Sequence, residues 1–173
     1  MRHWALSAAT GAAILISSSG SASPEQGLIS GSYFLDEERS DHVSQAIDSA
    51  LAGLSNRPFA QRLHKASGAA PGYAIRISTA AGRFSINHDA KPLIRVWIGG
   101  EPIKWRLEDG QVFDVSAKVN GEDISLTFRA ADSERTTVYR SDGQQLVTET
   151  TITGPLLSTP IRYKTVYNRS SRY

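Results

Sequence analysis

The chain has 173 residues, with 19 lysines and arginines against 17 aspartates and glutamates, four histidines and no cysteine. Without thiols there can be no disulfide framework, thiolate metal ligand or cysteine nucleophile, so stability must come from an ordinary hydrophobic core. The near-balanced charge gives no electrostatic reason to expect nucleic acid or an anionic membrane as partner.

Residues 1–22, MRHWALSAATGAAILISSSGSA, fit a secretory signal peptide: a basic start at Arg2, an apolar run from Trp4 to Ile16, then small residues ending at Ala22. That run is shorter than the ~20 residues needed to span a bilayer. The expectation is cleavage after Ala22, export to the periplasm or medium, and no stable membrane insertion. Residues 23–173 then make one domain, long enough for a single core and a pocket.

A strand is expected over 29–35. In SDHVSQAIDSALAGL, Val43, Ile47, Ala50, Leu51 and Leu54 recur at helical spacing, with Ser40 or Asp41 placed to cap the first turn. A second short helix follows in SNRPFAQRLHKASG. Ser55 or Asn56 caps it, Pro58 sits where its missing N–H does no harm, Phe59, Leu63 and Ala66 share a face, and Gly68 ends it.

From Tyr73 the pattern changes to period two, cut by turn signals at Ala81-Gly82, Gly99-Gly100, Asp109-Gly110, Asn120-Gly121, Asp142-Gly143 and Gly154-Pro155, with a further turn near 131–133. The strands read as 73–79, 83–88, 93–98, 102–108, 111–119, 123–130, 134–141, 144–153 and 160–168. About ten short antiparallel strands tend to curl, and closing the sheet removes its exposed edges. The fold class is therefore mainly β: an antiparallel up-and-down barrel with a short helix pair after the first strand.

This order of elements, from GSYFL through the helical pair SDHVSQAIDSALAGL and NRPFAQRL to a meander ending in IRYKTVYNR, resembles the fatty-acid-binding-protein type of calycin barrel, or lipocalin-like barrels more broadly. It is also similar to uncharacterised exported bacterial proteins. The resemblance implies that the helix pair caps the barrel mouth and that an arginine and a tyrosine near the last strands hold a ligand head group. The family's Arg-x-Tyr spacing is replaced here by adjacent Arg162-Tyr163, which point to opposite faces of a strand.

Alternation assigns an inner face strand by strand. Ile103, Trp105 and Leu107 share one side, as do Phe113, Val115, Ala117 and Val119, and Ile124, Leu126 and Phe128. If Val138 faces inward, so do Thr136 and Arg140, while Arg135, Thr137 and Tyr139 face outward. Leu146, Thr148, Thr150 and Ile152 continue the lining, and Ile161, Tyr163, Thr165 and Tyr167 complete it. Trp97 can go either way, since Leu93 and Arg95 share its side and Ile94, Val96 and Ile98 make an equally good inner set.

A desolvated arginine needs an acidic partner or an anionic ligand, and its planar fork suits a carboxylate. Arg140 is thus the expected head-group residue, Tyr163 and Tyr167 the hydroxyl contacts, and Trp105 and Phe128 the contacts to an apolar tail. His42, His64 and His88 are too scattered for a metal site, and neither a Gly-x-Ser-x-Gly elbow nor a phosphate-binding loop occurs. No catalytic residue, metal or cofactor is expected. The sequence favours an exported binding or carrier protein for a lipid or amphipathic carboxylate. Two alternatives stand beside it: a hydrolase or isomerase using a pocket histidine, and an envelope interaction domain without a ligand.

Overall fold

A computed structural model of the protein describes residues 29–67, 72–89, 91–107, 110–141 and 144–170. The expected signal peptide, Gly68, Asp109 and the Asp142-Gly143 turn lie outside the described residues. The elements run β1 (Gly31–Asp36), α1 (Val43–Leu51), α2 (Arg57–Ser67), β2 (Ala74–Ala80), β3 (Arg83–His88), β4 (Ile94–Trp97), β5 (Ile103–Arg106), β6 (Val112–Asn120), β7 (Asp123–Arg129), β8 (Glu134–Ser141), β9 (Gln145–Thr153) and β10 (Ile161–Arg169). This is the expected mainly-β architecture, with the helix pair directly after the first strand.

All ten strands form one antiparallel sheet in the order β4-β3-β2-β1-β10-β9-β8-β7-β6-β5. Pairing of β1 with β10 brings the two ends of the described chain together, and β4 and β5 end the strand order of the described sheet. They are bridged beyond β4, where Ile98 pairs with Ala117 of β6 and the Gly99 amide donates to the Ala117 carbonyl at 2.8 Å. The result is a nearly closed barrel. Gly121 shows how the hairpins turn: its φ of +64° is a conformation that favours glycine, and it joins β6 to β7.

Two apolar clusters hold the barrel. The larger fills its interior with residues from β1 to β10, including Tyr33, Phe84, Ile86, Val115, Leu126, Phe128, Tyr139 and Leu146. The smaller packs Val43, Ile47 and Leu51 of α1 and Phe59 and Leu63 of α2 onto Ile152 and Ile161, so the helix pair covers the end of the barrel where β9 ends and β10 begins. At about 1.5–3 kcal/mol per fully buried large side chain, this contact outweighs the weak intrinsic stability of helices so short. No helix among the described residues is long and apolar enough to cross a membrane.

The helix starts differ in chemistry. Asn56 caps α2, its Oδ1 accepting from the Phe59 amide at 3.1 Å. Neither Ser40 nor Asp41 caps α1, whose N-cap is His42 with no side-chain bond. Both are engaged by β10 instead: Asp41 accepts from the Lys164 amide at 2.6 Å and the Ser40 hydroxyl from the Val166 amide at 2.9 Å. Satisfying these strand donors ties the β1–α1 junction to the barrel wall.

Candidate ligand-binding site

Beneath the last turn of α2 lies a cavity of about 100 Å³ inside the helix-covered end of the barrel. Its lining mixes apolar and polar side chains. Trp105 and Phe128 contribute aromatic wall, Thr137, Thr148, Thr150 and Thr165 a band of hydroxyls, and Tyr139, Tyr163 and Tyr167 phenols. Lys65, Lys91 and Arg135 bring the charge, with His88 beside them.

Of the residues singled out from sequence, Trp105, Phe128, Tyr163 and Tyr167 all line this cavity. Arg140 does not. It lies on the outer face of β8, exposed, with its guanidinium paired to Asp123 at 2.7 Å and lying 3.8 Å from Glu149. The expected parity of β8 is inverted: Arg135 faces inward, Thr137 and Tyr139 are buried, and Val138 points away from the cavity. Register supplies the reason. Phe128, Leu126 and Ile124 of β7 stand opposite Arg135, Thr137 and Tyr139, and directly opposed residues share a face. Burying a tyrosine ring outweighs burying a valine, and turning Arg140 outward gives its charge two carboxylates in solvent.

Two smaller differences follow the same logic. Trp97 is 50% exposed and stacks against Arg83, whose guanidinium carbon lies 4.1 Å from the ring, leaving Ile94 and Val96 to face inward. Val119 shares the inner parity of β6 but is exposed at the end of its strand.

Arg135 is held by packing more than by charge. One Nη donates to the Ala66 carbonyl at 3.3 Å, near the end of α2, and the guanidinium carbon lies 4.2 Å over the Phe128 ring. Among the described residues, neither Arg135 nor Lys91 has a carboxylate within ion-pairing distance. Asp89, the nearest in sequence to Lys91, spends both carboxylate oxygens on the Ala74 amide. Two cations therefore converge on the cavity with no acidic partner among the described residues.

The surroundings respond to that field. Burial, then the charges of Lys91 and Arg135, push the His88 imidazole down to about 4, with Asp89 opposing weakly. His88 is thus a neutral ring at physiological pH. Burial and Arg135 likewise lower the Lys91 ammonium, and burial raises the phenols of Tyr139 and Tyr167. Among the described residues, three buried polar atoms lack a hydrogen-bond partner: Ser67 Oγ, Trp105 Nε1 and Arg135 Nε. All three residues line the cavity. An unsatisfied buried donor costs about 1–3 kcal/mol, so their coincidence in one place marks a site shaped for an acceptor.

The other histidines lie elsewhere. His42 is exposed at the start of α1, and His64 of α2 meets Asp48 of α1 at 3.2 Å across the exposed side of the helix pair. Among the described residues no cluster of three metal-ligating side chains occurs. A larger outer groove of about 360 Å³ between the helices is lined by Asp48, Leu51, Ala52, Arg57, Ala60, Gln61 and His64. It contains none of the buried unpaired donors.

No protein-family model matches the chain, and no curated protein matches it. Solved structures do. A secreted-type abundant heat soluble protein from Ramazzottius varieornatus superposes with a TM-score of 0.59 at 13% identity, over 84% of this chain and 98% of the other. The REP1-NXSQ fatty acid transporter gives 0.57 at 14% identity, over 83% and 97%. The fatty-acid-binding protein from the brain of Drosophila melanogaster gives 0.54 at 14%, over 82% and 99%. At such identities the likeness shows the fold alone, a nearly closed antiparallel barrel like those of the fatty-acid-binding proteins.

Proposed function

We propose that the protein is an exported binding or carrier barrel for a small amphipathic carboxylate, held in the cavity under α2. The observation that carries this reading is the meeting of Lys91 and Arg135 inside the barrel without a described carboxylate partner. An anionic head group would supply the missing charge, with the Arg135 fork as its main contact and Lys91 as a second. The neutral His88 and the phenols of Tyr163 and Tyr167 offer further hydrogen bonds, and Trp105 and Phe128 cover the apolar part. Two of the superposable structures are a fatty acid transporter and a fatty-acid-binding protein, which supports the class of ligand. Export rests on the signal-like residues 1–22, and intact mass of the protein from its host should show a chain beginning at Ser23.

Binding is tested by displacing the anionic dye 1-anilinonaphthalene-8-sulfonate with octanoate. Arg135→Ala should weaken octanoate at least tenfold, and Arg140→Ala should leave it unchanged. Equal binding by Arg135→Ala and the unmodified protein would refute the assignment.

A further inference from the structure

Three features of the cavity bear on the size and polarity of what it holds. The first is volume. At about 100 Å³ it is well below the ~300 Å³ at which drug-sized ligand pockets begin, and nearer the ~150 Å³ of a cavity that accommodates benzene.

The second is the plug around it. Trp105, Phe113 and Phe128 pack ring against ring, with centroids 5.6–6.3 Å apart, and Phe84 meets Tyr139 at 5.5 Å. Val115 and Leu126 beside them are fully buried, so among the described residues the interior next to the cavity is packed with side chains. The hollows of about 360 and 310 Å³ outside it are lined by none of Lys91, Arg135 or Trp105.

The third is polarity. Trp105 is only 7% exposed, yet its Nε1 has no acceptor among the described residues, and Ser67 Oγ and Arg135 Nε are in the same condition. An alkyl tail seated there would leave all of them unpaired. Oxygen atoms on the ligand would satisfy them.

We infer that the ligand is a compact, oxygen-rich carboxylate, such as a small aromatic or short-chain acid with a second oxygen acceptor, rather than a long-chain fatty acid. This rests on the reading of the cavity as an anion site. In it, Arg135 and Lys91 take the carboxylate while Trp105 Nε1 and Ser67 Oγ donate to the second oxygen function.

Calorimetric titration of the protein from residue 23 onward with benzoate, 2-hydroxybenzoate, hexanoate and palmitate tests it. The expected order places 2-hydroxybenzoate at least threefold tighter than benzoate, and both at least tenfold tighter than palmitate. Trp105→Phe and, separately, Ser67→Ala should shrink the preference for 2-hydroxybenzoate over benzoate, with circular dichroism confirming that each variant is folded. Palmitate binding as tightly as the short acids, in a manner lost in Arg135→Ala, would overturn the compact ligand while leaving the anion site intact. Binding of none of the four would overturn both. Two folded variants that keep the full preference would remove Trp105 and Ser67 from the site and overturn the second-acceptor assignment.

Discussion

Arg135 stands directly across the β7–β8 ladder from Phe128, with its guanidinium carbon 4.2 Å over the phenyl ring. The pair places a permanent cation on the inner face of a barrel and offers it a ring face and one carbonyl in place of a carboxylate. A cation–π contact is worth about 0.5–2 kcal/mol, which is less than the several kcal/mol it costs to desolvate an ion.

Stability and binding should therefore part company at this position. Arg135→Met keeps the length of the side chain and removes the charge that Lys91 repels. The urea midpoint should rise, reflecting a gain in unfolding free energy on the order of 1 kcal/mol, while anion binding disappears. A fall in the midpoint would show that the ring and carbonyl contacts more than offset the burial of the charge.

His88 should give the fold an acid sensitivity of its own. Its ordinary value is 6.5, and burial holds it near 4 in the folded protein. Between those values the unfolded chain binds the extra proton and the folded one does not, so stability falls with falling pH. The contribution is complete above pH 6.5 and gone by about pH 4. Discounted for its partial exposure, the loss is about 2 kcal/mol. His88→Gln should flatten this part of the urea-midpoint profile relative to the unmodified protein. Parallel profiles for the two would place the imidazole in solvent.

The outer ion pair of Arg140 and Asp123 sets the opposite expectation. Its 2.7 Å geometry is good, but it sits on the solvent face, where attraction is screened and side-chain entropy opposes it. Asp123→Asn should leave the octanoate affinity unchanged and shift the midpoint only slightly, with the shift vanishing at high salt. A tenfold loss of octanoate binding would mean that this face communicates with the cavity.

The contrast between Arg135 and Arg140 also shows how far the sequence could be read. Gly82 and Asn120-Gly121 mark hairpins whose positions survive in the structure, because the need for positive φ is local and visible in the residue type. Phe113, Val115, Leu126 and Phe128 declare their inner face by alternation. In β8 the only aliphatic residue is Val138, and it points outward, so hydrophobicity alone misled the assignment. The usable signal was across the turn. Counting from Phe128 through the pairing of Arg129 with Glu134 puts Arg135 opposite Phe128 and hence inside. Lys91 and His88 could not be found this way, since their approach to Arg135 depends on closure of the sheet through β1 and β10. The failed caps have the same origin: Ser40 and Asp41 have capping chemistry, but β10 presents competing amides that only the folded barrel brings near.

The buried threonines allow a test of what holds the cavity wall. Thr137 and Thr150 are cross-strand partners on the inner face, with hydroxyl oxygens 3.0 Å apart. Removing one hydroxyl leaves the other without its partner, which costs about 1–3 kcal/mol, whereas removing both together is nearly neutral. Thr137→Val should thus lower the urea midpoint, and the Thr137→Val, Thr150→Val double variant should recover most of the loss. The coupling in that double-mutant cycle measures the bond itself. If the double variant instead loses the sum of the two single effects, each hydroxyl is satisfied separately by water in the cavity. The threonine band would then belong to the ligand surface rather than to the frame, and the double variant should also weaken octanoate binding.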